Sequence, residues 1–379
     1  MRICILTTSY PDVLEPTRGI FIKEILDCLK KDSNFQIDIQ TSLSGFPKLT
    51  QGSGGLAANL GSSWLARFLL IPFFIVYFLK SFSAAKKSDV IHAFWAGCGF
   101  QGVFYKYLFR KPLLMTEYGA TFNLAAKYKL LYYIYMFVLK KCDIIATNNT
   151  TQTEKIKKLG FDNVYTVADG LNLQTFRKTP KKKAREKLNI PLERFIYLYT
   201  GSLIPRKAVS DLIKAFRNIA SSHNNVELVI IGTGILEKEL KHLAKNLGIS
   251  EKVTFTGRKL QDDISLYMCA ADIFVLPSYS EGRPEVVSEA LYSATPVIGS
   301  NIGGTNELVK HGFNGLLYEP GDIKALEKCL NSVLEDKILL QHLTDGASKF
   351  DFLTWDKTAD MYKELYKMLH FSSNLINSS

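Results

Sequence analysis

Glu281 and Glu289 stand eight residues apart in the segment Pro277-Ser278-Tyr279-Ser280-Glu281-Gly282-Arg283-Pro284-Glu285-Val286-Val287-Ser288-Glu289-Ala290. An apolar run precedes this segment and a helical pattern follows it. Pro284 suits the first helical position, where a missing N–H costs nothing. The amides of Glu285, Val286 and Val287 would then point out of the helix N-terminus, an anion site suited to a diphosphate. Gly282 lets backbone approach a ligand closely, and Arg283 stands beside it among the ligand-contacting positions. A carboxylate accepts two hydroxyl hydrogen bonds, which is how the vicinal diols of a ribose or a hexose are held. The bland alternative is a charge favoured by the helix dipole plus an ordinary surface glutamate.

A second segment, Tyr199-Thr200-Gly201-Ser202-Leu203-Ile204-Pro205-Arg206-Lys207, also follows an apolar run. Gly201 suits a tight turn out of a strand, and Arg206 and Lys207 put two cations on the loop. Parallel sheets bind ligands at the carboxyl ends of their strands, so both segments should open onto one crevice. Two cations facing a helix N-terminus would stabilise the charge on a departing diphosphate without a metal. The alternative for Arg206 and Lys207 is a solvated loop.

The elements that must position these residues are legible as Val- and Ile-rich runs. They cover residues 2–7, 36–40, 89–93, 112–116, 143–146 and 163–167, then 195–200, 226–231, 252–255, 273–276, 296–299 and 315–317. Continuous apolar runs alternating with helical patterns predict doubly wound parallel sheets. Six runs fall on each side of the polar stretch 178–187, which reads as a linker. The predicted fold class is α/β, with two Rossmann-like domains facing a central cleft. Residues 1–177 form the first domain and 178–355 the second. A helix over 356–370 packs back toward the first domain, and 371–379 is a tail.

The pair of segments resembles glycosyltransferase family 4, retaining enzymes of the GT-B fold. The E-x7-E motif matches at Glu281 and Glu289, and the G-x-L-x-x-x-K loop at Gly201, Leu203 and Lys207. Residues 229–234, with Gly232, are similar to the family's glycine turn. Residues 253–258, with Gly257 and Arg258, resemble its loop near the base, and 301–307 and 314–317 its last landmarks. The resemblance implies a UDP- or GDP-sugar donor bound mainly by the second domain, with no cofactor and no metal required. It gives the diphosphate to Arg206 and Lys207, the donor sugar hydroxyls to Glu281 and the ribose to Glu289. The family often carries Arg where this chain has Ser202, and Gly where it has Ala208. The resemblance also implies transfer on one face of the sugar through an ion-pair-like state.

The first domain should hold the acceptor, a glycan or a lipid-linked sugar. Residues 17–21, Thr17-Arg18-Gly19-Ile20-Phe21, resemble the family's glycine loop, where backbone amides near Gly19 approach the donor phosphate; a plain helix-start turn is the alternative. His92 is the candidate general base, or else a structural histidine at a strand end. Thr116-Glu117-Tyr118-Gly119-Ala120 resembles a loop whose Glu117 and Tyr118 would contact the acceptor. Basic and aromatic residues interleave over 105–111 and 127–141, including Lys127 and Tyr128. Such stretches either dock on anionic lipid or pack aromatics on a sheet while lysines stay in water.

The 379 residues carry 47 Lys and Arg against 36 Asp and Glu, a net charge of +11. That attracts polyanions in general, but no nucleic-acid-binding signature accompanies it. The six cysteines lack metal-ligand spacing and read as buried apolar groups in a reducing compartment. Met1–Thr7 is too short for a signal peptide. The apolar stretch 64–79 is broken by Arg67 and Pro72, which argues for a helix lying on a sheet or in a membrane surface rather than a span. The setting is cytoplasmic, or the inner face of the cytoplasmic membrane. The expected activity is transfer of a hexosyl group from a nucleotide-diphosphate sugar to a hydroxyl, in surface polysaccharide, lipopolysaccharide or capsule synthesis. The rival readings are a nucleotide-sugar epimerase or hydrolase on the same fold, and a catalytically weak membrane-associated binding subunit.

Overall fold

A strand apolar along its whole length has no polar side to give to water, so both its faces must be covered. The central runs of both sheets meet that demand, while the edge run 36–41 is polar and partly exposed. The computed structural model describes residues 1–12, 18–41, 64–118, 129–176 and 178–378. The chain forms two compact units, Met1–Gly170 with Leu353–Ser379, and Leu171–Phe352.

The first unit holds β1 (Arg2–Thr7), β2 (Gln36–Thr41), β3 (Val90–Phe94), β4 (Leu113–Glu117), β5 (Ile144–Thr147) and β6 (Val164–Thr166). They form one parallel sheet in the order β2-β1-β3-β4-β5-β6. The helices between them are α1 (Ile20–Lys30), α2 (Trp64–Lys87), α3 (Trp95–Phe109), α4 (Lys129–Lys141) and α5 (Thr150–Lys158). The apolar stretch around Pro72 lies on the sheet as part of α2. Phe73 and Tyr77 are buried, and the Tyr77 hydroxyl meets the backbone of Thr7 and Gln40 at the ends of β1 and β2. No helix among the described residues is long and apolar enough to cross a membrane.

The second unit holds β7 (Phe195–Thr200), β8 (Val226–Ile231), β9 (Val253–Gly257), β10 (Ile273–Leu276), β11 (Val297–Ser300) and β12 (Gly315–Tyr318). Their order is β12-β11-β10-β7-β8-β9, again parallel. The helices are α6 (Lys181–Leu188), α7 (Val209–Ser222), α8 (Glu237–Asn246), α9 (Gln261–Ala270), α10 (Glu285–Tyr292), α11 (Gly303–Leu308), α12 (Ile323–Glu335) and α13 (Lys337–Ser348). Most of the stretch expected as linker is α6. Its Arg185 is buried, donating to the Ala270 carbonyl at 2.9 Å and to Asp272 at 2.7 Å. A charge that deep needs such partners, and they make α6 part of the unit.

The chain then returns to the first unit as α14 (Trp355–Ser378). The helix continues through most of the residues expected as a tail, because no Gly or Pro interrupts 371–378. It covers the face of the first sheet that α1 also covers, burying Tyr362 and Tyr366. His92 lies beneath it and is fully buried. Its Nδ1 meets the Tyr366 hydroxyl and its Nε2 the Thr116 hydroxyl, each at 2.8 Å. Both ring nitrogens are occupied by interior partners, which fits a structural histidine and not a base open to substrate. Burial pushes the imidazole pKa down to about 3. Between pH 6.5 and about 3 the unfolded chain therefore binds a proton at this site that the folded protein refuses. His92 should make stability fall with falling pH through that window, by at most about 1.4 kcal/mol per pH unit. Urea unfolding across the window should give a steeper fall for the native protein than for His92→Gln.

Candidate active site

The strand order reverses between β7 and β10, which lie side by side. A doubly wound sheet opens a crevice at such a reversal, because successive loops diverge to opposite faces. The two segments singled out by sequence are the loops leaving these two strands. The Tyr279 amide donates to the Arg206 carbonyl at 2.9 Å, stitching the loops together. Lys207 Nζ donates to Glu281 Oε1 at 2.6 Å, across 74 residues of sequence. Arg206 Nη1 donates to Glu281 Oε2 at 3.0 Å and also to the Ser280 carbonyl.

Burial pushes the Glu281 carboxyl up, but the charges of Lys207 and Arg206 and the Lys207 hydrogen bond outweigh it. The net effect holds the group below the ordinary glutamate value. The Glu281 side chain is 7% exposed and that of Arg206 is 46%. The Arg206 contact is therefore solvent-screened and weak, whereas Lys207 and Glu281 are locked. The site thus carries a buried carboxylate seated on the two cations expected to hold phosphate.

Glu289 sits in the second turn of α10 and is buried. Its carboxyl has no hydrogen-bond or ion-pair partner among the described residues, and desolvation raises its pKa to about 8. The start of α10 differs from expectation by one residue. Pro284 is the residue before the first turn, extended at φ −76° and ψ 103°, and Glu285 begins the helix. The Val287 amide already donates to the Pro284 carbonyl at 3.0 Å. A tightened first turn uses one of the three amides counted as free.

Two glycines let the loops touch. A Cβ on Gly232 would run into the Gly201 carbonyl, and one on Gly304 into the Gly282 carbonyl. The Gly232 amide donates to Gly257 at 2.9 Å, so Gly201, Gly232 and Gly257 form a row at the ends of β7, β8 and β9. Ser202 and Arg258 are exposed beside them. Ala208 sits in the left-handed region at φ 49°, a conformation that favours glycine.

Sequence reasoning missed several partners. Tyr279 donates its hydroxyl to Asp211 at 2.5 Å, fixing the second loop to the first turn of α7. Glu307 reaches Arg283 at 3.7 Å. These pairs are distant in sequence, and no local spacing marks them.

The remaining candidates belong to the first unit. Gly19 precedes α1 at φ 62°, where a Cβ would meet the Ser9 carbonyl. Glu117 is fully buried at the end of β4. The half-buried Tyr118 packs on Phe21 with ring centroids 4.6 Å apart, and its hydroxyl donates to Asp169 at 3.3 Å. Thr17, Gly119, Ala120, Lys127 and Tyr128 lie outside the described residues. All six cysteines are free, and all but the half-buried Cys329 are buried.

Residues 180–350 match the family model of glycosyl transferases, group 1. The match supports a glycosyltransferase. An uncharacterized glycosyltransferase of Methanocaldococcus jannaschii is 25% identical, covering 97% of this chain and 98% of its own. The D-inositol 3-phosphate glycosyltransferase of Streptomyces bingchenggensis is 30% identical over 58% of this chain; the chain spans about half, 52%, of that relative's length. Among solved structures, Anabaena HepE in complex with UDP and glucose superposes with a TM-score of 0.74 at 19% identity. It covers 97% of this chain and 100% of its own. At that identity the likeness concerns the fold, a two-domain α/β architecture of two parallel six-stranded sheets.

The isolation of Glu289 has a measurable consequence. Its folded pKa of about 8 lies well above the unfolded value of about 4.3. In that window the folded protein binds the extra proton, so the contribution to stability falls as pH rises. Glu289→Gln should be more stable than the native protein at pH 8, with the advantage vanishing near pH 4.5. Paired melting curves at several pH values check this.

Proposed function

We propose that this chain transfers a sugar, with retention of configuration, from a UDP- or GDP-sugar to a hydroxyl of a glycan or lipid-linked acceptor. The observation that carries the reading is the triad of Arg206, Lys207 and Glu281 at the carboxyl edge of the second sheet. Two cations at that edge match a diphosphate, whose charge grows as the sugar bond breaks. Their carboxylate partner would accept hydroxyl hydrogen bonds from the sugar once phosphate takes over the cations. Glu289 lies eight residues along the same segment, a buried acceptor in need of donors, as a ribose diol would supply. UDP is favoured by its presence in the HepE complex. A hydroxyl acceptor accords with the inositol phosphate named for the Streptomyces relative.

Arg206 and Lys207 place positive charge where a divalent ion would otherwise be needed, so transfer should survive a chelator. His92, beneath Tyr366, would orient β3 and α14 without exchanging a proton with substrate. A cytoplasmic setting fits the six free thiols.

Thermal melting with a panel of nucleoside diphosphates and their sugars tests the donor site. One nucleotide should raise the melting temperature at saturation, and Lys207→Ala and Glu289→Ala should both abolish the shift. Glu281→Gln should keep binding the bare diphosphate, up to about tenfold tighter because a competing anion is gone. It should nevertheless lose transfer. Proton NMR of the product should give the donor's anomeric configuration. Free sugar or an inverted sugar centre, formed without acceptor, would favour the hydrolase or epimerase reading.

A further inference from the structure

One surface of the first unit has no role in that chemistry. α2, α3 and α4 cover the same face of the first sheet, burying Tyr77, Tyr105 and Tyr135 in one core. Neighbouring helices of one layer turn their outer sides the same way. α2 exposes Ile71, Ile75 and Leu79 there, at four-residue spacing, with Ile71 at 71% and Leu79 at 67% exposure. α3 does the same with Phe100, Phe104 and Leu108, and α4 exposes Leu130, Tyr133 and Phe137 at spacings of three and four. The Phe100 ring lies 6.2 Å from that of Phe137, so the stripes of α3 and α4 join. An outer helix face in water ordinarily carries charge. A contiguous apolar one marks an interaction surface.

The charge pattern says what kind. α2, α3 and α4 contain no Asp or Glu, whereas Lys86 and Lys87 end α2 and Lys140 and Lys141 end α4. Arg110 and Lys111 follow α3 directly. All three helices return between parallel strands, so these basic ends share one edge of the unit. The helix dipole alone would favour cations there, but it gives no account of the apolar stripes above them. An anionic bilayer satisfies both, offering acyl chains to the stripes and phosphate to the lysines.

We propose that the outer face of α2, α3 and α4 docks on the surface of an anionic membrane. Ile75, Phe104 and Tyr133 enter at headgroup depth, and Lys80, Lys86 and Lys87 lie over lipid phosphate. The contact is peripheral: among the described residues no helix is long and apolar enough to span. It stands independently of the donor chemistry, because it uses no residue of the second unit.

Co-sedimentation of the full chain with vesicles tests it. The native protein should pellet with vesicles of equal parts phosphatidylglycerol and phosphatidylcholine. It should bind pure phosphatidylcholine roughly tenfold less, and high salt should release it. Ile75→Glu with Phe104→Glu should weaken binding by about tenfold or more. The triple change Lys80→Ala, Lys86→Ala, Lys87→Ala should do likewise without touching the apolar stripe. Lys349→Glu, on the second unit, should bind as the native protein does. Melting curves and the nucleotide-induced shift should stay unchanged in every variant, which separates this result from any failure of the donor site. The proposal is overturned if the native protein stays in the supernatant at low salt, or if both sets of variants still pellet. It is also overturned if light scattering shows a dimer that Ile75→Glu with Phe104→Glu dissolves, since a second copy would then own the face.

Discussion

At the amino edge of a parallel sheet some strand amides lie beyond the reach of the neighbouring backbone, and at three places here a carboxylate accepts one. Asp89, just before β3, accepts the Arg2 amide at the start of β1 at 2.7 Å. Asp143, before β5, accepts the Leu113 amide of β4 at 2.8 Å. Asp272, before β10, accepts the Ile196 amide of β7 at 2.6 Å. Each bond pins two adjacent strands at their amino ends and fixes their register. The third pins the two strands whose far ends launch Lys207 and Glu281. Arg185 and Lys181 both pair with Asp272, holding that carboxylate in place. The geometry of the site thus rests on an ion cluster at the opposite edge of the sheet.

At the ligand edge the same chemistry is turned to another use. Glu281 stands where an anionic ligand is expected, satisfying Lys207 and Arg206 in its absence. Two adjacent cations without a counter-charge, one of them as enclosed as Lys207, would repel and push the loops apart. With the carboxylate present, the two loops are joined by contacts that, on the donor reading proposed above, a diphosphate would replace. Tyr279, tied to Asp211, fixes the backbone on which this exchange would occur. Glu289 is the contrast: a carboxyl in the same segment with no such partner among the described residues, its pKa pushed up by burial.

Much of this was legible in the residue order. The runs at 195–200, 226–231 and 273–276 are strands with those same bounds, because a doubly buried strand has no choice but continuous apolarity. Glu281, Lys207 and Arg206 were legible as a set because loop chemistry between strand and helix is local. What escaped the sequence was long-range. Arg185 looked like a linker charge because its partners, Ala270 and Asp272, lie far along the chain. The burial of His92 depends on Tyr366, 274 residues later. The pairing of Glu281 with the cations was equally hidden, since sequence shows which charges exist but not which of them neutralise one another.

The first unit is discontinuous: its last helix is separated from its sheet by the whole of Leu171–Phe352. Gly170 shows how close the return is, since a Cβ there would strike the backbone at Thr354 and Trp355. Synthesis runs in one direction, so β1 to β6 leave the ribosome well before α14 exists. During that interval, among the described residues, α1 is the helix that covers the apolar face destined for Tyr362 and Tyr366. The second unit, continuous in sequence, can meanwhile close its own core. The unit begun first is therefore the one completed last.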